Sequence, residues 1–139
     1  MSGFFLDATL IESLIDKARA APRRRSHHNL HTDPAAPAHR MLVAMEPDSY
    51  VRPHRHLDPA KAETIIVLRG RLGTLIFDAA GQVLDARVMA PGAAVFGYDV
   101  PPGVFHCIVA LESGTVFVEA KAGPYAVPLE AEWGGWAPA

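Results

Sequence analysis

Residues 64–77 read TIIVLRGRLGTLIF, two apolar runs at 64–68 and 72–77 joined by Arg69-Gly70-Arg71. Runs of this length that are rich in β-branched side chains and break at a glycine have the pattern of two antiparallel strands around a tight turn. The pattern continues on both sides. Further runs at 41–45, 49–55, 83–89, 93–96, 104–111 and 115–120 bring the expected strands to eight. Pro47-Asp48, Asp78-Ala79-Ala80-Gly81, Pro91-Gly92, Pro101-Pro102-Gly103 and Ser113-Gly114 supply the turns. No helix-length segment separates these runs, which argues against alternating β/α order and for an all-β sandwich or barrel.

Upstream, Leu10, Ile11, Leu14, Ile15 and Ala18 repeat at helical spacing, and Thr9 with Glu12 has the form of a capping box. They predict one amphipathic helix over 7–20, ended by Pro22. Arg23-Arg24-Arg25, His27-His28-Asn29-Leu30-His31, Asp33-Pro34 and Pro37 follow as a polar connector without clear period, read as a loop with room for one short strand. From Gly123 onward, Pro124, Pro128, Gly134, Gly135 and Pro138 alternate with Tyr125, Trp133 and Trp136, the composition of an irregular tail pinned by its aromatics.

A chain of 139 residues, 50% of them hydrophobic, suits one domain with one core. Thirteen Lys and Arg against fifteen Asp and Glu give a net charge of -2, which removes the electrostatic case for nucleic acid or an anionic membrane. No stretch approaches the ~18 apolar residues of a membrane span. Glu12 and Asp16 interrupt the start where a secretory signal would be apolar, and the single cysteine, Cys107, has no intramolecular disulfide partner. A cytoplasmic protein without a nucleic-acid or membrane partner is the expectation.

The sharpest chemical feature is Pro53-His54-Arg55-His56, in which two imidazoles two positions apart share one face of an extended strand. Six residues later Glu63 opens the most apolar strand, where a carboxylate is costly unless paired or metal-bound. His106 lies in the apolar run 104–109, directly after the Pro101-Pro102-Gly103 turn. Three imidazoles and one carboxylate form a donor set for Fe(II), Mn(II), Ni(II), Co(II) or Zn(II), with Mg(II) less suited because it prefers oxygen. Each residue also has a plainer explanation: His106 as a hydrogen-bonded core histidine, Glu63 as a partner of Lys61 or Arg69. The combination outweighs them.

That combination resembles the two motifs of the cupin superfamily, small antiparallel jelly-roll β-barrels. The first is matched by His54-Arg55-His56, Glu63 and Gly70, the second by Pro101-Pro102-Gly103-Val104-Phe105-His106. The resemblance implies that His54, His56, Glu63 and His106 point inward and hold one divalent metal. The six residues between His56 and Glu63 exceed the usual three or four, and Gly92 stands farther from Pro101 than the usual glycine.

A narrower similarity spans nearly the whole chain, to the WbuC family of cupin-fold metalloproteins. It rests on Arg25, Asn29-Leu30-His31, Arg40, the stretch 50–56, Glu63 and the stretch 68–72. Phe77-Asp78 with Gly81, residues 101–106, Phe117-Val118-Glu119 with Lys121, Gly123-Pro124-Tyr125 and Trp136-Ala137-Pro138 complete it. The chain then divides into an N-terminal helix and connector (1–37), one cupin barrel (38–122) and a tail packed on the barrel or on a neighbour (123–139). A homodimer is the expected assembly. Asn29, His31, Arg40, Arg52, Glu119 and Tyr125 are the family-like polar positions expected to contact a small-molecule ligand. The plainer roles are strand-edge charge for Arg40 and Arg52, pairing with Lys121 for Glu119, and packing for Tyr125.

The family's gene context, bacterial surface polysaccharide formation, implies a sugar or a sugar-derived carboxylic acid as ligand. The reaction stays open between metal-assisted isomerisation or epimerisation and Fe(II) oxygen chemistry. The rival reading is a non-catalytic metal-dependent binding module, and a third is a metal-free structural barrel. His27, His28 and His31 lack the cysteines and spacing of a structural zinc site. Arg23-Arg24-Arg25 reads as solvated charge after a helix. Cys107 alternates away from His106 and has no support as a nucleophile.

Overall fold

The computed structural model describes residues 3–139. Helix α1, Ala8–Ala20, is followed by strands β1 (Arg25–Asn29), β2 (Ala38–Met45), β3 (Glu63–Arg69), β4 (Leu72–Phe77), β5 (Val83–Met89), β6 (Gly97–Val100), β7 (Phe105–Ala110) and β8 (Thr115–Ala122). One sheet runs β1-β2-β8-β3-β6 and the other β5-β4-β7, with every pairing antiparallel.

Strand periodicity explains where the core lies. On β2, Val43 and Met45 face the opposite sheet and join Ile65, Val67, Leu72, Met89, Ala110 and Phe117 in the inter-sheet core. The alternate residues Leu42 and Ala44 face outward, yet they are buried because Leu14, Ile15 and Ala18 of α1 cover them together with Val116. A strand buried on both faces loses the apolar-polar alternation, and β2 accordingly reads as a continuous apolar run. The helix is capped by Asp7, whose Oδ1 accepts the Leu10 N–H at 2.9 Å, rather than by the expected Thr9 box. The short carboxylate two positions earlier satisfies the free first-turn donor instead.

Two expected strands differ. The run 93–96 is the turn before β6: Ala90 N–H donates to Val95 O at 3.1 Å, and the strand begins at Gly97. Gly97 is required there, since a Cβ would stand 2.5 Å from the Ile65 carbonyl oxygen of β3. The run 49–55 forms no continuous strand. Pro53 has no N–H to give a ladder, and only His54 pairs, making isolated bridges to His106 on one side and Trp133 on the other. That bridge extends the three-stranded sheet beyond β7 and brings the tail against it. The tail itself contains one short 3-10 turn, Glu130–Glu132. No helix among the described residues is long and apolar enough to cross a membrane.

Candidate metal centre

Three separate chain segments carry the site. His54 and His106 exchange backbone hydrogen bonds, His54 N–H to His106 O at 3.0 Å and His106 N–H to His54 O at 2.9 Å, which places both rings on one face. His56 is held two residues further on, where its carbonyl accepts the Gly103 N–H at 2.7 Å. Arg55, whose side chain alternates to the other face, carries its guanidinium over the Phe105 ring at 4.4 Å. Glu63 opens β3, opposite Val100 of β6 and Lys121 of β8.

The long spacing before Glu63 is absorbed by a self-contained loop. Asp58 accepts the Ala60 N–H at 2.9 Å through Oδ1 and the Lys61 N–H at 3.0 Å through its carbonyl. The Leu57 N–H donates to Glu132 Oε2 at 3.0 Å, and Lys61 Nζ to the Pro124 carbonyl at 2.8 Å. The extra residues thus bulge toward the tail and leave the register of β3 untouched.

The donor atoms of His54, His56, Glu63 and His106 all lie within 4.8 Å of one another. Glu63 and His106 are each only 2% exposed. His56 Nε2 lies 2.9 Å from Glu63 Oε2, and His106 Nε2 is 3.7 Å from the same oxygen. His54 Nδ1 donates to the Arg52 carbonyl and His106 Nδ1 to the Val104 carbonyl, each at 2.9 Å. Those bonds fix the tautomer in which Nε2 carries the free lone pair, as the outer partners of metal-bound imidazoles do. Buried His106 Nε2 has no hydrogen-bond partner. A buried nitrogen is costly to leave unpaired, so an orphan lone pair beside a carboxylate and two further imidazoles fits a divalent cation.

The electrostatics agree with that fit. Burial, reinforced by the neighbouring His106, pushes His54 down to about 4, so its ring is neutral near pH 7. Burial opposes the charged form of Glu63, yet its contacts with Glu119, His106 and His56 hold it well below the usual carboxylate range. Burial and then the neighbouring Glu63 push Glu119 well above that range. Two neighbouring buried carboxyls cannot both ionise cheaply, which is why the two are driven in opposite directions.

Three cavities meet at His54. The first, about 170 Å³, is the barrel interior, with Arg25, His27, Met41, Glu63, His106 and Glu119 in its wall. The second, about 270 Å³, lies under the tail between His39, His56, Lys61, Lys121 and Tyr125. The third, about 530 Å³, is bounded by Arg23, Arg25, Arg52 and Trp133. Glu119, Tyr125 and Arg52 therefore line cavities that border the cluster. Asn29, His31 and Arg40 are in none of those three walls. Asn29 and Arg40 are exposed on β1 and β2, and His31 Nδ1 lies 3.2 Å from both the N and the O of Arg40.

Sequence reading did not single out His39, which is 6% exposed, stacks on His31 at 4.0 Å and lies beside the tail cavity. Starting β2 at Met41 left it outside the strand. Its position two residues before Met41, on the same face, is the signal that extends the strand back to it. Tail composition alone predicts packing for Trp133, whereas it pairs with His54 and carries the Arg52 guanidinium 5.2 Å over its ring. Cys107 is buried, and burial pushes its thiol up to about 11, which leaves it unreactive.

Two facing antiparallel sheets closed around such a cluster are a cupin-type jelly-roll barrel, here with a short N-terminal helix and an irregular tail. Residues 6–89 match the model of a family described as a domain of unknown function, DUF6016, and the chain belongs to that family. The matched stretch carries His54, His56 and Glu63. Among solved structures the chain is similar to KdgF from Halomonas sp., at 17% identity and a TM-score of 0.58, covering 76% of this chain and 84% of that one. It is also similar to SPY1581, a conserved protein of unknown function from Streptococcus pyogenes, at 14% identity and 0.59, covering 91% and 92%. Oxalate decarboxylase from Bacillus subtilis matches at 20% identity and 0.53, over 70% of this chain but 24% of that one. At such identities the likeness is one of fold. No curated protein matches the chain by sequence.

Proposed function

We propose that this chain is a metal-dependent small-molecule enzyme of WbuC type, with His54, His56, Glu63 and His106 holding one Fe, Mn, Ni, Co or Zn ion. The observation that carries the reading is the convergence of four donors within 4.8 Å, one of them the otherwise unpartnered His106 Nε2. A bound ion there supplies Lewis acidity toward a substrate oxygen and lowers the pKa of coordinated water.

The chain's own residues would do the rest. Glu119, whose carboxyl is pushed up by burial and by Glu63 and which shares the interior cavity wall with Glu63 and His106, would be the group to give or take a proton at the cluster. Arg52 and Tyr125 would orient the ligand from two sides, and the apolar wall of Met41, Val43, Ile65 and Phe117 limits water in the interior cavity. Asn29, His31 and Arg40 would act at the β1–β2 edge, where His31 stacks on His39. A sugar or a small carboxylic acid is the favoured ligand class. The likeness in fold to an oxalate decarboxylase supports a small acid as ligand. Isomerisation or epimerisation and Fe(II) oxygen chemistry both follow from the same donor set.

We further propose a cytoplasmic homodimer. Phe4, Phe5 and Leu6, which are 68%, 96% and 50% exposed ahead of α1, are the surface that a second copy would cover. A single monomeric species in sedimentation over a wide concentration range contradicts it. The catalytic reading is tested by supplying each metal and a panel of sugars, sugar acids and small dicarboxylates, and comparing the native chain with His106→Ala. Metal-dependent turnover lost in the variant supports it. Ligand binding without turnover across the panel makes the chain a binding module instead.

A further inference from the structure

The cavity bounded by Arg23, Arg25 and Arg52 has a charge pattern that the metal cluster does not explain. Arg25 and Arg52 are half-buried, Arg23 is exposed, and the wall contains no aspartate or glutamate; Ala139 also lines it, and among the described residues it forms no ion pair with these arginines. Among the described residues, Arg19, Arg24, Arg69, Arg71 and Arg87 form ion pairs with carboxylates, whereas Arg23, Arg25 and Arg52, like Arg40 and Arg55, form none. Arg25 is held in place by neutral acceptors, donating through Nη1 to Ser49 Oγ at 3.1 Å and to the Tyr50 carbonyl at 2.9 Å. The Arg52 guanidinium is oriented by the Trp133 ring, and its Nε is buried without an acceptor. Three guanidiniums in one cavity wall, none of them in an ion pair and one with a buried donor unspent, form a site that an oxyanion would complete.

We propose that Arg23, Arg25 and Arg52 form a receptor for an oxyanion group, carboxylate or phosphate, on the small molecule whose other end reaches the His54 edge of the metal cluster. The proposal deepens the functional reading above and rests on it for the ligand's second contact. The arginine cavity and the barrel interior share Arg25, Val51 and His54 in their walls, so a ligand anchored on the guanidiniums lies directly beside the metal donors. Planar guanidinium forks match both carboxylate and phosphate oxygens. The substrate class is therefore acidic: a neutral sugar hydroxyl could accept from Arg52 Nε but would leave the three positive charges uncompensated.

The test is calorimetric titration of the full chain, with and without added Zn(II), against inorganic phosphate and against malonate, at constant ionic strength. Saturable one-to-one binding of either anion is expected, weakened at least about tenfold in Arg52→Gln and in Arg23→Gln. Arg52→Lys, which keeps the charge but loses the fork, should fall between. Phosphate preference marks a phosphorylated ligand and malonate preference a carboxylic acid. Because Arg23 is exposed, Arg23→Gln keeps the test sound if the Arg52 variants fold poorly. Absence of saturable binding of both anions to the native chain, or native-like binding in both glutamine variants, overturns the proposal. Metal content in the same samples separates the outcomes: anion binding without metal uptake refutes the metal reading alone, and metal uptake without anion binding refutes this one alone.

Discussion

His54 and His106 face each other across a single two-bond bridge, His54 N–H to His106 O at 3.0 Å and the reverse at 2.9 Å, with ring centroids 4.6 Å apart. Each ring also donates its Nδ1 proton to the carbonyl two residues before it. Backbone pairing thus sets the distance between the two imidazoles, and local turns set which nitrogen each presents. The centre is organised by main chain before any ion arrives.

Glu63→Gln keeps the shape of the side chain and removes the one carboxylate shared by His56 and His106. Metal affinity should fall by at least about tenfold, a loss of the size seen on disturbing metal-site partners, while the fold persists. Competition titration with a chromophoric chelator measures the change. Unchanged affinity would remove Glu63 from the donor set and leave it a buried hydrogen-bond partner of His56.

Glu46 is a structural carboxylate. It is 3% exposed and accepts from Arg19 Nε at 3.1 Å, Ser113 Oγ at 2.7 Å and Gly114 N–H at 2.7 Å, tying α1 and the β7–β8 turn to the end of β2. Burial opposes its charge, but the Ser113, Gly114 and Arg19 contacts hold it below the ordinary 4.5. A group depressed on folding stabilises the protein above its unfolded pKa, and that stabilisation is lost as pH falls through the folded value. Glu46→Gln should therefore cost about 1–3 kcal/mol near neutral pH, and the gap from the native chain should narrow as the pH is lowered below the ordinary 4.5. Urea unfolding across that pH range reads it; a gap that is constant with pH contradicts the assignment.

Gly97→Ala should weaken the β3–β6 pairing, because the added methyl meets the Ile65 carbonyl at 2.5 Å, with the Ile66 Cδ1 at 2.8 Å. A backbone oxygen cannot rotate away as a side chain can, and crowding of this kind costs about 1–3 kcal/mol. Hydrogen exchange at the amides of residues 63–66 localises the effect, and native-like protection there would show that β6 tolerates a side chain.

The parts of this architecture visible in the sequence were those that local pattern controls. The limits of β4 and β5 follow from apolar runs between turn residues, and His54, His56, Glu63 and His106 follow from donor type and spacing. The role of Trp133 does not, because its pairing with His54 depends on a tail that returns across about eighty positions of chain. Arg23 and Arg25 read as solvated charge for the same reason: only tertiary placement puts them beside Arg52. Burial of β2 on both faces likewise becomes apparent only once α1 is known to lie on Leu42 and Ala44.

The most direct measurement is anomalous diffraction from crystals soaked in Zn(II) or Mn(II), collected on both sides of the metal's absorption edge. One strong anomalous peak within bonding distance of His54 Nε2, His56 Nε2, His106 Nε2 and a Glu63 carboxylate oxygen is the predicted result. A map with no peak among those four atoms at full soak, or with metal bound only at other histidines such as His31 and His39, would contradict the account.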